Sequence, residues 1–119
     1  MQDNVPSDVI GWKSQLKKGT LELAILALLD TKVSYGLELL ERLNELNLDV
    51  SDGSIYPLLA RLRSEKKVTT QWVDEDVGHA HKYYSLTPSG RQFLGRLVTA
   101  WHEYTGAIDG VIKKVHSHE

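Results

Sequence analysis

The sequence predicts a mainly α chain with one small β-hairpin, an α+β arrangement in which short helices precede the hairpin and a long helix follows it. Three observations carry this. Apolar residues recur at helical spacing in four separate stretches, two runs of β-branched and aromatic residues flank a polar stretch containing Gly78, and Thr87-Pro88 reads as a helix cap with proline at the first helical position. At 119 residues, 41% hydrophobic and 25% charged, the chain suits one core rather than two. Burial is modest at that length, so an apolar stripe that one copy cannot cover points to self-association.

The first helix is marked by Leu21, Ala24, Ile25, Leu28 and Leu29, spaced i, i+3, i+4, i+7, i+8 after Gly19-Thr20. Asp30 to Val33 breaks it. Ser34 is then expected to cap a second helix with an inward stripe of Leu37, Leu40, Leu43 and Leu46, and with Glu38, Glu41, Arg42 and Glu45 on its other face. Ser51 and Ser54 are both candidate caps of a third helix, whose stripe is Ile55, Leu58, Leu59 and Leu62; Pro57 falls near its first turns. Val68–Val73 and His81–Leu86 are the strands of a hairpin with a long polar tip from Asp74 to Ala80. The last helix opens at Pro88 and runs to about Val115. Three helices, a hairpin and a closing helix, in that order, are the plan of a winged helix-turn-helix.

Composition removes several functions. No cysteine means no disulfide, thiol chemistry or thiolate metal site, in keeping with a reducing cytoplasm. The opening residues lack the charged start and apolar run of a signal peptide, and the longest apolar run, Leu23–Leu29, is far short of the ~20 residues that span a bilayer. A cytoplasmic chain without membrane contact is expected. The net charge of −2 rules out bulk positive charge as a nucleic-acid signal, so local distribution must decide.

The third helix has a readable outer face. At 100° per residue, its inward stripe leaves Gly53, Pro57, Ala60 and Ser64 pointing away, flanked by Ser54, Tyr56 and Arg61. A face that small at its centre can approach a groove wall closely, with Ser54 and Tyr56 bonding phosphates or base edges and Arg61 contacting guanine or phosphate. Arg61, Arg63, Lys66 and Lys67 form the most basic local run, with Arg61 nearest the outer face. Backbone N–H groups at Ser34 and Tyr35 offer a phosphate site at the start of the second helix.

Several segments, in order, resemble the PadR family of bacterial transcription regulators: Lys18-Gly19-Thr20-Leu21-Glu22-Leu23, Ser34-Tyr35-Gly36, Ser51-Asp52-Gly53-Ser54-Ile55-Tyr56-Pro57-Leu58-Leu59, and Lys82-Tyr83-Tyr84-Ser85-Leu86-Thr87-Pro88-Ser89-Gly90-Arg91. The resemblance covers roughly Lys17 to Val115, and the single final helix is similar to that of the short subgroup. It implies a repressor that binds a double-stranded DNA operator through Ser34, Tyr35, Ser51, Ser54, Tyr56, Arg61, Lys66, His81 and Lys82. The wing departs from the family pattern. Gly78-His79-Ala80-His81 stands where relatives often carry proline and arginine, after the acidic run Asp74-Glu75-Asp76. A protonated His81 would make DNA affinity rise at mildly acidic pH.

In the last helix, Leu94, Trp101, Ile108 and Val115 recur every seven residues, with Leu97, Tyr104 and Val111 three beyond the first three and Val98 and Ile112 alongside. That is a seam for a partner helix, and a two-fold copy is the economical partner. Residues 1–86 are accordingly read as a winged helix-turn-helix with an N-terminal helical extension, and 87–119 as the dimerisation helix and tail of the same domain. Multidrug-responsive relatives place a tryptophan where Trp101 stands, which implies a flat apolar effector at the two-fold axis, with Trp12 lining the same place. Aromatic residues at heptad spacing also serve simply as interface core. Trp72, alternating with Val68 and Thr70, reads as core.

Other classes fit less of the sequence. A metal-responsive regulator would use His79, His81, His102, His116 and His118, though no compact cluster with acids accompanies them; no cofactor is expected. An enzyme would pair His81 or His102 with Asp76 or Glu103, without a nucleophile motif or phosphate loop. A winged-helix module that binds protein instead of DNA would suit the acidic wing.

Overall fold

The computed structural model describes residues 6–76 and 78–117. Helix α1 (Ser7–Thr31) leads to a short strand β1 (Ser34–Tyr35), then α2 (Gly36–Glu45), α3 (Asp52–Ser64), the hairpin β2 (Val68–Asp76) and β3 (His79–Leu86), and α4 (Pro88–Ser117). The three strands form one antiparallel sheet in the order β1-β3-β2.

The core lies where α1, α2, α3 and the sheet meet. Ile25, Leu26 and Leu29 of α1 are buried against Leu39 and Leu43, Ile55, Leu59 and Leu62, Val68, Tyr84 and Leu94. Elements pack around the C-terminal half of α1, which accounts for a burial wider than one stripe: Leu26 joins the expected positions. The N-terminal half extends past the core, so α1 begins at Ser7, well before Gly19, and leaves Val9, Ile10, Trp12 and Leu16 exposed.

The second helix corrects the sequence reading. Ser34 does not cap it; Ser34 is 0% exposed in β1, and Tyr35 is the residue preceding the helix. The inward residues are Gly36, Leu39, Leu40 and Leu43, while Leu37 and Leu46 are exposed. The register is set by Gly36, which lies against the Tyr56 ring so closely that a Cβ there would collide with it. Arg42, expected to face solvent, instead ties α2 to the end of α1. Its guanidinium donates to Leu28 O (3.2 Å) and Thr31 Oγ1 (2.8 Å), and also to Lys32 O and Ser34 Oγ. Carbonyls at the C-terminal end of α1 thereby gain a cationic donor, in the case of Leu28 O beside the Lys32 amide and the Thr31 hydroxyl.

Helices α2 and α3 end in the same way. Asn47 (φ 61°) and Lys66 (φ 62°) take the left-handed conformation. The amides that follow reach back, Leu48 N to Leu43 O and Lys67 N to Leu62 O, which closes each helix in a Schellman turn. Ser51 precedes α3 as one of the two expected caps, yet its hydroxyl faces that of Ser54 (3.3 Å) instead of a backbone amide. Pro57 therefore sits inside the helix, past the first turn.

The hairpin is longer and its tip shorter than the sequence suggests. Pairing continues through Asp74↔Ala80 and, across a bulge, Asp76↔His79, with Gly78 at φ +79° in the turn. Asp74, Glu75, His79 and Ala80, read as loop, are exposed positions on paired strands, where polarity carries no information about pairing.

Helix α4 starts as expected. Thr87 Oγ1 accepts from Gly90 N (2.9 Å) and donates to Lys66 O (2.7 Å), while Thr87 N donates to Lys67 O (3.1 Å), so one residue caps α4 and anchors it to the end of α3. Gly90 is buried at that junction, and a Cβ on it would overlap the Lys67 carbonyl, a backbone group that cannot swing aside. Gly90→Ala is expected to destabilise the fold by about 1–3 kcal/mol through overpacking, seen as a lower denaturant midpoint at unchanged slope; an unshifted midpoint would show that the junction is loose.

Candidate nucleic-acid interface

The outer face of α3 matches the sequence reading: Ile55, Leu59 and Leu62 are buried, Leu58 is half-buried, and Gly53, Pro57, Ala60 and Ser64 face solvent. Ser51 and Ser54 are exposed at its start. Tyr56, 44% exposed, leans its ring over Gly36 and so bridges α3 to the start of α2. Lys66 is exposed at the far end.

Arg61 is on this face but engaged. Its guanidinium meets Glu22 of α1 at 3.0 Å and Glu65 at 3.2 Å. The hydrogen bond it donates to Glu22, then those to Glu65, raise its pKa above the ordinary arginine value. Glu65 is held below the usual carboxylate range by Lys67 first and Arg61 second. Lys67 also lies 3.6 Å from the centre of the Phe93 ring, which leaves it a structural role. The sequence could not reveal the Glu22 partner, which comes from a residue 39 positions away. Between α1 and the start of α3 this pairing borders an open cleft of about 460 Å³, which Lys17, Lys18, Ser51 and Ser54 also line.

The wing meets the start of α2. Tyr35 stacks on His81 with ring centres 4.1 Å apart and meets Tyr83 edge-on at 5.2 Å. The Glu75 carboxylate receives the Tyr83 hydroxyl and lies 2.9 Å from His81 Nδ1. Tyr35, Gly36, Tyr56, His81, Lys82 and Tyr84 line an open cleft of about 200 Å³. Seven of the nine residues assigned to DNA contact thus lie on or beside the clefts along α3, the start of α2 and the wing, while Lys66 sits past the far end of α3, next to Thr87. Ser34 is the other exception, because its side chain is enclosed and bonded to Arg42.

Trp72 corrects another expectation. It is 66% exposed, cross-strand from Lys82, whose ammonium lies 5.9 Å from the indole centre. Alternation identified the face correctly, but the hairpin projects past the body at that point.

The proposed seam divides in two. Leu94 is 7% exposed in the core and Leu97 packs against it, so the body of the chain already covers both. From Val98 onward the stripe is bare, with Trp101, Tyr104, Ile108, Val111, Ile112 and Val115 all exposed. Trp101 and Tyr104 join Trp12 and Leu16 of α1 along an open cleft of about 360 Å³. Among the described residues no three His, Asp or Glu side chains are grouped to hold a metal ion. His118 and the side chains of Asp76 and His116 lie outside the described residues. No described helix is long and apolar enough to cross a membrane.

Comparison with known proteins identifies the family and matches the fold. The transcriptional regulator PadR-like family matches residues 25–96. A PadR-like transcription factor from Bacteroides fragilis is similar in structure, with a TM-score of 0.71 and 37% identity over 85% of this chain and 98% of its own. A PadR-like transcriptional regulator from Bacillus cereus is similar with a TM-score of 0.76 and 33% identity, over 82% of this chain and 96% of its own. A PadR family transcriptional regulator from Eggerthella lenta has a TM-score of 0.78 and 25% identity, over 89% of each chain.

The wing cluster makes its own prediction. The hydrogen bond to Glu75 pushes the Tyr83 hydroxyl up to about 12, and the same contact, with His81 second, holds Glu75 below the usual carboxylate range. A raised tyrosine contributes stability that is complete below its unfolded value near ~10 and is lost as pH climbs through its folded value. The depressed Glu75 contributes above the ordinary glutamate range and is lost as pH falls through its own folded value. Ultraviolet titration of the native chain against Tyr83→Phe should assign the highest tyrosine ionisation to Tyr83, and Glu75→Gln should lower it. Ionisation of Tyr83 together with the other tyrosines would contradict the contact.

Proposed function

The chain belongs to the PadR-like family of transcriptional regulators, DNA-binding proteins and not enzymes, and from that premise we propose that it is a homodimeric repressor of a near-palindromic operator. The observation that carries this reading is the exposed face of α3, small at Gly53, Pro57 and Ala60 and flanked by Tyr56 and Arg61, continuous with the cleft that holds Lys82. A helix with so little bulk at its centre can seat deeply in a major groove. Few side chains on it can bond base edges, so operator choice rests in part on DNA shape.

Two facts support a second copy. The radius of gyration is 17.3 Å, against about 13.5 Å for a compact chain of this length, because α1 and α4 reach beyond the core. The apolar stripe they carry is exposed in one copy. A two-fold pairing along it covers the stripe and sets two α3 helices about 34 Å apart, one turn of duplex. The cleft beside Trp12, Trp101 and Tyr104 supports a flat apolar effector, which would act by favouring a dimer geometry unmatched to that spacing. Dimer contact would then involve Trp12, Trp101, Tyr104, Ile108, Val111 and Ile112, with Leu94 and Leu97 supporting them from the core. A cytoplasmic site of action follows from the regulatory role.

The test is a salt titration with duplex fragments from upstream of the encoding gene. A DNA reader loses affinity with a log–log slope of about −0.9 per phosphate contact, whereas a module that binds only protein has no such affinity to lose. Tyr56→Ala and Arg61→Ala should each weaken binding about tenfold, roughly one good base or phosphate contact, with the dimer intact. Trp101→Ala should raise the dimer dissociation constant or abolish an effector response. Unchanged behaviour of all three would overturn the assignment.

A further inference from the structure

We infer that Glu75 is a positioning residue of the reading surface: it fixes the His81 and Tyr83 side chains, and through their ring contacts it sets the Tyr35 ring at the start of α2. The inference rests on the DNA-binding reading above and adds to it a residue that acts without touching the duplex.

The contacts run along one face of the sheet. Tyr35 is the cross-strand partner of Tyr83, and His81 lies two residues from Tyr83 on β3, so the three rings share a face, opposite to the one that buries Ser34 and Tyr84. The ladder fixes their backbones but not their side chains, and all three are only half-buried. Tyr35 therefore takes its position from its neighbours. It stacks on His81 with ring centres 4.1 Å apart and planes within 18°, and it meets Tyr83 edge-on at 5.2 Å. Those two neighbours are held by one group. The Glu75 carboxylate accepts from the Tyr83 hydroxyl through one oxygen and lies 2.9 Å from His81 Nδ1 through the other. A carboxylate only accepts, so Nδ1 carries the hydrogen in this pair, and the bond sets the orientation of the imidazole.

Tyr35 matters because of where it stands. It precedes α2 and lines the same cleft as Tyr56 of α3 and Lys82. A ring fixed before a ligand arrives loses no rotamer freedom on binding, whereas a free ring does. On charge alone an acid beside a phosphate-binding surface opposes association. Two converging donors give Glu75 a role that runs against its charge. Glutamine and leucine at this position remove the same charge, but only glutamine can still accept from Tyr83 and His81, so the pair separates positioning from electrostatics.

The test compares Glu75→Gln with Glu75→Leu on the upstream duplex. Both variants lose the same repulsion, and the leucine variant should bind about fivefold more weakly than the glutamine variant, the cost of ordering one or two freed side chains. The difference should vanish when Tyr35→Ala is added to both. In the free chain, with the His81 resonance identified by His81→Asn, the ring protons of His81 should be displaced upfield by the Tyr35 ring. That displacement should be kept in Glu75→Gln and lost in Glu75→Leu. Equal affinities of the two variants, or a His81 resonance that does not move in Glu75→Leu, overturn the positioning role while the DNA reading stands. A difference that persists alongside Tyr35→Ala overturns the route through Tyr35. If the wild-type chain binds no duplex, the DNA reading falls and the role of Glu75 in it falls as well.

Discussion

A core built around half of one helix cannot cover the whole of another. The buried residues cluster on the C-terminal half of α1 and on its neighbours, and α4 reaches them only through its first turns, at Phe93, Leu94 and Leu97. Beyond Val98 the helix continues for about 30 Å at 1.5 Å per residue with exposed apolar side chains on one face, of which Trp101 and Tyr104 meet Trp12 and Leu16 of α1 along an open cleft. The same holds for the first turns of α1. Every larger feature of the account depends on that uncovered stripe: the elongated shape, the cleft between Trp12 and Trp101, and the separation at which two α3 helices would be held. Trp101 and Tyr104 stand where the covered and exposed parts of the seam meet, on a cleft with α1, the helix that also carries Glu22, the partner of Arg61.

The surface proposed to face DNA is electrostatically restrained. Arg61 is shared between two carboxylates and Lys67 between Glu65 and Phe93. If Arg61 contacts a phosphate as proposed, it exchanges one anionic partner for another. Tyr56 is held against Gly36, and Tyr35 is stacked on His81, so the aromatic groups of the surface are positioned before any ligand arrives.

Much of this was legible in the residues. The stripe of α3, the cap at Thr87 and the length of α4 follow from periodicity and local bonding, which operate over a few residues and leave marks in sequence. What the sequence concealed depends on tertiary neighbours. A two-residue strand such as β1 has no periodicity, and Ser34 looks like a cap until β3 is in place beside it. The register of α2 is set by the contact between Gly36 and Tyr56, twenty residues apart, which is why Leu39 and not Leu37 turns inward. Alternation placed Trp72 on the correct face of its strand but could not tell where the body beneath that face ends. Leu94 satisfies the heptad and the core together, and only packing decides between them.

The central claim is that a second copy covers the stripe on α4. Sedimentation equilibrium at micromolar concentration tests it directly. The account predicts a single species of twice the 13.4 kDa chain mass, converted toward monomer when Ile108 and Ile112 are both replaced by aspartate. A wild-type chain that sediments as a monomer throughout that range would contradict it.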